Sequence, residues 1–181
     1  MTVMMLFSVA VSASPKKLVL GFAQIGAESG WRTAETGSIK AAAKAQGITL
    51  KFSDAQQKQE NQIKALRSFI AQKVDVIALA PVVESGWDTV LQEAKKAKIP
   101  VIIVDRTINV KDESLYATFV GSDFPLEGKN AAIEMAKLLN NTGNIVELQG
   151  TVGSSAQVDR LKGFADEIAK YSNIKMLASQ S

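Results

Sequence analysis

The stretch VDVIALAPVVESGWDTVLQEAKKAKIPVIIVD, residues 74–105, decides the fold. It opens on the apolar run VIALAP (76–81) and closes on PVIIVD (100–105). Between them Trp87, Val90, Leu91 and Ala94 recur at three- and four-residue spacing, the period of a helix with one buried stripe. A short apolar run, a helical segment and a second short run rich in β-branched residues make a strand, helix, strand unit. Units of this kind build parallel sheets with helices on both faces.

The alternation continues in both directions. Upstream lie LVLGFAQ (18–24), a helical segment over 33–46, ITLKFSD (48–54) and a helix over 57–72. That helix shows its buried stripe at Ile63, Leu66, Phe69 and Ile70. Asp54 stands before it and Lys73 at its end, where the macrodipole favours each charge. Downstream, ATFVGSD (117–123) supplies a fifth run, after which turn residues cluster in GSDFP (121–125). A new unit follows: a helix over 126–139, the strand NIVELQG, a helix over 156–171 and the strand IKMLASQS. The expected fold is α/β. Residues 15–122 form a first lobe around a doubly wound parallel sheet, and 123–181 begin a second α/β lobe. Two strands are too few to bury both faces of an independent parallel sheet, so the chain is expected to be truncated.

Composition narrows the function. The 181 residues are 46% hydrophobic and 22% charged, enough for a core of about 100 to 150 residues. The 21 basic and 18 acidic residues give a net charge of +3, and the basic ones are scattered instead of forming a run that tracks phosphates. Nucleic acid is therefore not the expected partner. Without Cys there are no disulfides or thiolates. Without His the commonest general base and metal ligand are missing. No cofactor or metal is expected. Residues 1–14 (MTVMMLFSVAVSAS) are apolar and rich in small side chains, with Val11-Ser12-Ala13 suiting a signal peptidase. Export is the expectation, although no Lys or Arg precedes Lys16. The run falls short of the about 20 apolar residues a membrane span needs.

In open parallel sheets, ligands bind beyond the carboxyl ends of the strands. The residues following the apolar runs are therefore the candidates: Glu28, Ser29, Gly30, Trp31 and Arg32 after the first, Asp54 after the second, Asp105 and Arg106 after the fourth. Asp159 and Arg160 follow in the second unit, beyond Gly150. Carboxylates, guanidinium forks and an indole suit a polyhydroxylated ligand. Hydroxyls need donors and acceptors in fixed planes, and the C–H face of a sugar packs on an aromatic ring. Each candidate has a plainer role. Trp31 can cap a core, although it lies in a polar, Gly-containing loop. Asp105 and Arg106 can be a surface ion pair, Asp54 a helix cap, and Arg160 an ordinary helix-surface charge.

Enzyme motifs are missing. GSDFPLEGKN (121–130) departs from a phosphate loop in its glycine spacing and in Asn130, where a hydroxyl residue would hold magnesium. No GxGxxG opens the first helix and no GxSxG occurs. Glu28 and Asp105 as a glycosidase carboxylate pair have only their existence in favour.

The runs GFAQIGAESGWRTAE, SDAQQKQENQIKALRSFIAQKVDVIALAPVVESGWDTVL, VIIVDRTI and VELQGTVGSSAQVDR resemble the periplasmic sugar-binding proteins of the ribose-binding type, and among them the galactofuranose-binding branch. The likeness covers residues 18–181. It implies a periplasmic-binding-protein-like fold of two lobes that close by a hinge on one monosaccharide. It also implies an ABC permease in the inner membrane as partner, a monomeric periplasmic protein and no catalysis. By position it implies ligand contacts from Glu28, Ser29, Gly30, Trp31 and Arg32, from Asp105 and Arg106, and from Arg160 across the cleft. Two rivals share the two-lobe sensor. A regulator of the lac repressor type needs a DNA-binding helix-turn-helix before Leu18, where only 17 apolar-rich residues stand. A chemotaxis or two-component receptor differs only in its partner.

Overall fold

The computed structural model describes residues 16–181; the export-signal reading of residues 1–14 lies outside them. The order is β1 (Val19–Gln24), α1 (Gly30–Ala45), β2 (Thr49–Asp54), α2 (Gln59–Ala71), β3 (Val76–Leu79), α3 (Asp88–Lys96), β4 (Val101–Asp105) and β5 (Thr118–Gly121). Then come α4 (Phe124–Leu138), β6 (Gly143–Leu148), α5 (Ser155–Ile168) and β7 (Ile174–Gln180). Every strand, helix alternation expected from the sequence is present.

The first five strands form one parallel sheet in the order β2-β1-β3-β4-β5. Alternation along β3 builds both layers of the core. Ile77 and Leu79 point into the larger layer, where Leu66 and Phe69 of α2 meet Trp87, Val90 and Leu91. Ala78 points into the thinner one with Phe22, Ile25, Ala80 and Val82, against Ile39 of α1. Side chains of this size, once out of water, contribute about 1.5–3 kcal/mol each. Trp87 is fully enclosed and its indole N–H donates to the Val83 carbonyl, so its polar edge is satisfied.

Several helix boundaries differ from the sequence reading, among them the starts of α1 and α2. Helix α1 starts at Gly30, because the Ser29 hydroxyl accepts from the Arg32 N–H and caps it. Trp31 and Arg32 thus stand on the first turn of a helix and not in a loop. Helix α2 starts at Gln59 after Lys58, with no side-chain cap. Asp54 is the last residue of β2 and turns its carboxylate onto the Gln56 N–H. Lys73 follows the C-cap Gln72 with φ +54° and stays at the carboxyl end of α2, its N–H on the Ile70 carbonyl, whereas Asp54 does not serve the amino end as expected.

Strands β6 and β7 pair in parallel as a separate two-stranded sheet. Ile145 and Ile174 are buried beneath Met135, Ala136, Phe164 and Ile168 of α4 and α5. Those helices cross at contact distance because Gly128 and Gly163 lack side chains. A Cβ at either would lie 2.0 Å from a carbonyl oxygen of the opposite helix or its first turn. The loops ahead of α5 also touch the first sheet's loops. Glu84 N–H donates to the Gly153 carbonyl, and Thr107 N–H to the Ser155 hydroxyl.

Candidate functional site

In the strand order 2-1-3-4-5, the chain leaves β1 to one side for β2 and returns on the other side for β3. The carboxyl ends of β1 and β3 therefore flank an open crevice. Gln62 of α2 braces that point. Its amide donates to the carbonyls of Ala23 and Ala80 and accepts from the Val82 N–H, tying the ends of β1 and β3 together.

Around the crevice, the first loop and the end of β4 meet through Arg32. The residue is only 3% exposed. Its Nε donates to Glu28 (3.3 Å), its Nη1 to Glu35 (2.6 Å), and its Nη2 lies 2.8 Å from Asp105 Oδ2. Burial opposes the guanidinium charge, but Asp105 and Glu35 outweigh it and hold the Arg32 pKa above its ordinary value. The same guanidinium lies under the Trp31 ring, 4.9 Å from its centroid, within cation–π range. Trp31 leaves its other side open and is 58% exposed.

Asp105 owes its position to an uncommon backbone. Its φ is +64°, and Arg106 N–H donates to the Val104 carbonyl across it, closing a three-residue turn. A non-glycine residue in that region carries strain, of a kind that collects at functional sites. Gly121, its partner across the β4/β5 ladder, makes the turn possible, since a Cβ there would stand 2.5 Å from the Asp105 carbonyl. Asp105 Oδ2 is enclosed. It lies 2.8 Å from Arg32 Nη2 as an ion pair, the first of the contacts that raise the Arg32 pKa against its burial. Arg106 sits alongside, Nε 3.8 Å from the same oxygen and Nη1 donating to the Val82 carbonyl. Its pKa is lowered, first by burial and then by Arg32, with Asp105 opposing.

Arg160 stands apart from this group. It is half exposed on α5, its Nε bonded to Glu127 (2.7 Å) and its guanidinium stacked 4.5 Å over Phe124. A cavity of about 500 Å³ opens in front of it, walled by Arg106, Glu127, Gln149, Gln157 and Phe164 among others. Of the residues singled out from the sequence, Arg106 and Arg160 line this cavity; Glu28 to Arg32 and Asp105 lie outside its wall. Asp159 has its pKa raised by burial and by Asp123. Asp54 takes no part.

The structure thus gathers Glu28, Trp31, Asp105 and Arg106 about Arg32, with Ser29 and Gly30 at the start of its helix, and of these residues Arg106 shares the cavity wall with Arg160. Gln24, Glu35 and Gln62 belong to the same assembly and were missed in the sequence. A glutamine closing the otherwise apolar run LVLGFA was the available signal for the first. No group of His, Cys, Asp and Glu suited to a metal occurs among the described residues.

The periplasmic binding protein domain matches residues 20–181. The chain belongs to this family. Among its members, the galactofuranose-binding protein YtfQ of Escherichia coli is 58% identical over 165 residues, covering 91% of this chain and 52% of that protein. The periplasmic binding protein component of the arabinose ABC transporter from a Shewanella species, bound to α- and β-L-arabinofuranose, superposes with a TM-score of 0.87. Its identity is 57%, over 90% of this chain and 54% of that one. A Mycobacterium smegmatis member in complex with β-D-fucofuranose gives 0.87 at 54% identity, over 90% and 55%. The chain spans about half the length of the curated relatives it matches.

Proposed function

We propose that this chain belongs to the solute-binding component of an ABC sugar importer and binds a monosaccharide in its furanose form, galactofuranose or a close analogue. One observation carries the reading. At the carboxyl mouth of a parallel sheet, an exposed indole face stands beside the Asp105 carboxylate, whose Oδ2 is held 2.8 Å from Arg32 Nη2 and whose side chain stays 13% exposed. Such a pair offers a platform for a sugar's C–H face and an acceptor for its hydroxyl. The relatives described above, named for or complexed with furanoses, support the choice of ligand.

In this reading Trp31 stacks on the ring, Asp105 and Arg106 bond its hydroxyls, and Glu28, Ser29, Gly30 and Arg32 shape the first wall. Arg160 closes from the other side. The walls are two lobes, residues 15–122 and a second beginning at 123, and ligand shifts the pair toward the closed arrangement by its differential affinity for it. The closed form, a monomer in the periplasm after export, docks on an inner-membrane permease. No bond of the sugar is made or broken, so a chromogenic furanoside should remain intact on long incubation.

The test is calorimetric titration of the whole protein with galactofuranose, with galactopyranose, arabinose and ribose as comparisons. Saturable furanose binding that falls about tenfold or more in both Trp31→Ala and Arg106→Ala is expected, as for the loss of a stacking or charged hydrogen-bond contact. Binding that survives both substitutions would place the sugar elsewhere.

A further inference from the structure

The sugar-site residues do not hold themselves in place; a buried amide behind them does. We propose that Gln24 and Glu35 are positioning residues for this site, acting through the Arg32 guanidinium on Asp105 and Trp31. The proposal rests on the sugar-binding reading above and goes beyond it by naming what orients the site.

Gln24 ends β1 and is 0% exposed. All of its polar atoms are committed. Oε1 accepts from the Ile25 N–H (2.8 Å), and Nε2 donates to Glu35 Oε2 (2.9 Å) and to the Thr36 hydroxyl (3.0 Å). A buried amide with this complete a set is costly to place and pins whatever it holds. What it holds is the Glu35 oxygen that also takes Arg32 Nη1 at 2.6 Å. The order of contacts therefore runs from the floor of the sheet to Glu35, to Arg32, and there divides. One branch reaches Asp105 Oδ2 at 2.8 Å and the other the Trp31 ring at 4.9 Å.

Glu35 decides how Arg32 is shared. With it in place, one arm of the guanidinium is satisfied by Glu35 and another is left on the enclosed Asp105 Oδ2, so the carboxylate is held in one position. Removing the Glu35 charge leaves the buried cation to Glu28 and Asp105. It would then shift toward them, displacing the Asp105 carboxylate from its place in the site and tilting away from the indole. Neither Gln24 nor Glu35 needs to touch ligand for this to hold.

Gln24→Glu gives a readout that simple packing would not. An ionised carboxyl at that position faces the Glu35 oxygen and repels it; a protonated one donates to Glu35 as the amide does. The charged groups around it are Glu28, Arg32 and Glu35 from the first loop and α1, Asp105 and Arg106 from the end of β4, and Asp54 from β2. Helix α2 presents the neutral Gln62. The experiment is titration of galactofuranose into the whole protein and both variants, at about pH 7.5 and about pH 5, bracketing the range into which a crowded carboxyl is raised. Glu35→Gln should bind about tenfold or more weakly at both pH values. Gln24→Glu should bind weakly at the higher pH and recover most of its affinity at the lower, relative to wild type at each pH.

Collisional quenching of tryptophan emission without sugar supplies a second readout. Trp87 is enclosed, so the quenchable emission belongs to Trp31, and Glu35→Gln should change it. If Gln24→Glu does not fold, Glu35→Gln decides by affinity and quenching together. Wild-type binding with variants that match it at both pH values overturns this proposal alone. A pH-independent loss in Gln24→Glu, with Trp31 quenching unchanged in Glu35→Gln, marks a merely structural role and also overturns it. A wild type that binds no furanose overturns the sugar reading and this proposal with it.

Discussion

The two sheets of this molecule are built from the same strand, helix alternation and end in different physical states. In the five-stranded sheet, β3 and β4 carry apolar side chains on both faces, and helices or loops cover each. In the β6/β7 pair, Ile145 is buried under α4 and α5, while its alternating neighbours Val146 and Leu148 are exposed, Leu148 by 87%. The difference teaches that the alternation specifies elements, whereas stability needs a second layer. The first sheet holds a strained Asp105 turn and a buried ion-pair cluster because it is covered on both sides. The second rests on one pair of helices.

The largest expected effect follows from the covered sheet. Trp87→Ala removes a fully enclosed indole from the layer between α2 and α3 and leaves the Val83 carbonyl without its donor. The expected loss is about 3–5 kcal/mol, the range for a large aromatic removed from a core. Leu148→Ala, deleting a large apolar side chain from the uncovered sheet, should change stability by less than about 0.5 kcal/mol. Urea unfolding of both variants checks the contrast. Equal losses would mean that the two sheets share one core.

How much of this was legible in the sequence follows the same division between local and tertiary causes. The strands and the stripe Trp87, Val90, Leu91 and Ala94 were legible because hydrophobic period is a local property. So was the convergence of Glu28 to Arg32 with Asp105 and Arg106, since any residue just past a parallel strand is delivered to the same edge. The start of α1 was missed by three residues because Ser29 reads equally well as a loop hydroxyl or a cap until its partner N–H is in place. Asp54 fits a dipole rule that its position, five residues before Gln59, does not satisfy. The φ of +64° at Asp105 had no local signal: the room beside its carbonyl comes from Gly121, a ladder partner sixteen positions away. Gln24, Glu35 and Gln62 act through contacts between elements, and an isolated glutamine does not announce which carbonyl it will meet.

A middle-sized effect belongs to the seam between α4 and α5, on which the second sheet depends. Gly128→Ala places a Cβ 2.0 Å from the Arg160 carbonyl oxygen, and Gly163→Ala does the same at the Pro125 carbonyl. Backbone cannot yield as a flexible side chain would, so the helices must separate. The expected loss is about 1–3 kcal/mol per substitution. Hydrogen exchange should show it concentrated in β6 and β7, with β1 and β3 protected as before. Exchange rising uniformly in both sheets would show that they open as one unit.

The smallest effect on stability carries the most information about the uncovered face. Val146 and Leu148 are both exposed on β6, whose residues 143–148 pair only with β7 among the described strands. An apolar strand with one unpaired edge is an invitation to intermolecular pairing, which a charge on it suppresses. Leu148→Lys should therefore leave the urea midpoint almost unmoved and reduce concentration-dependent association of this 181-residue chain in sedimentation velocity. A lysine that instead destabilised the chain would mean that Leu148 packs against something in the folded molecule. The second sheet would then be covered in solution after all, and the contrast between the two sheets would be one of sequence and not of burial.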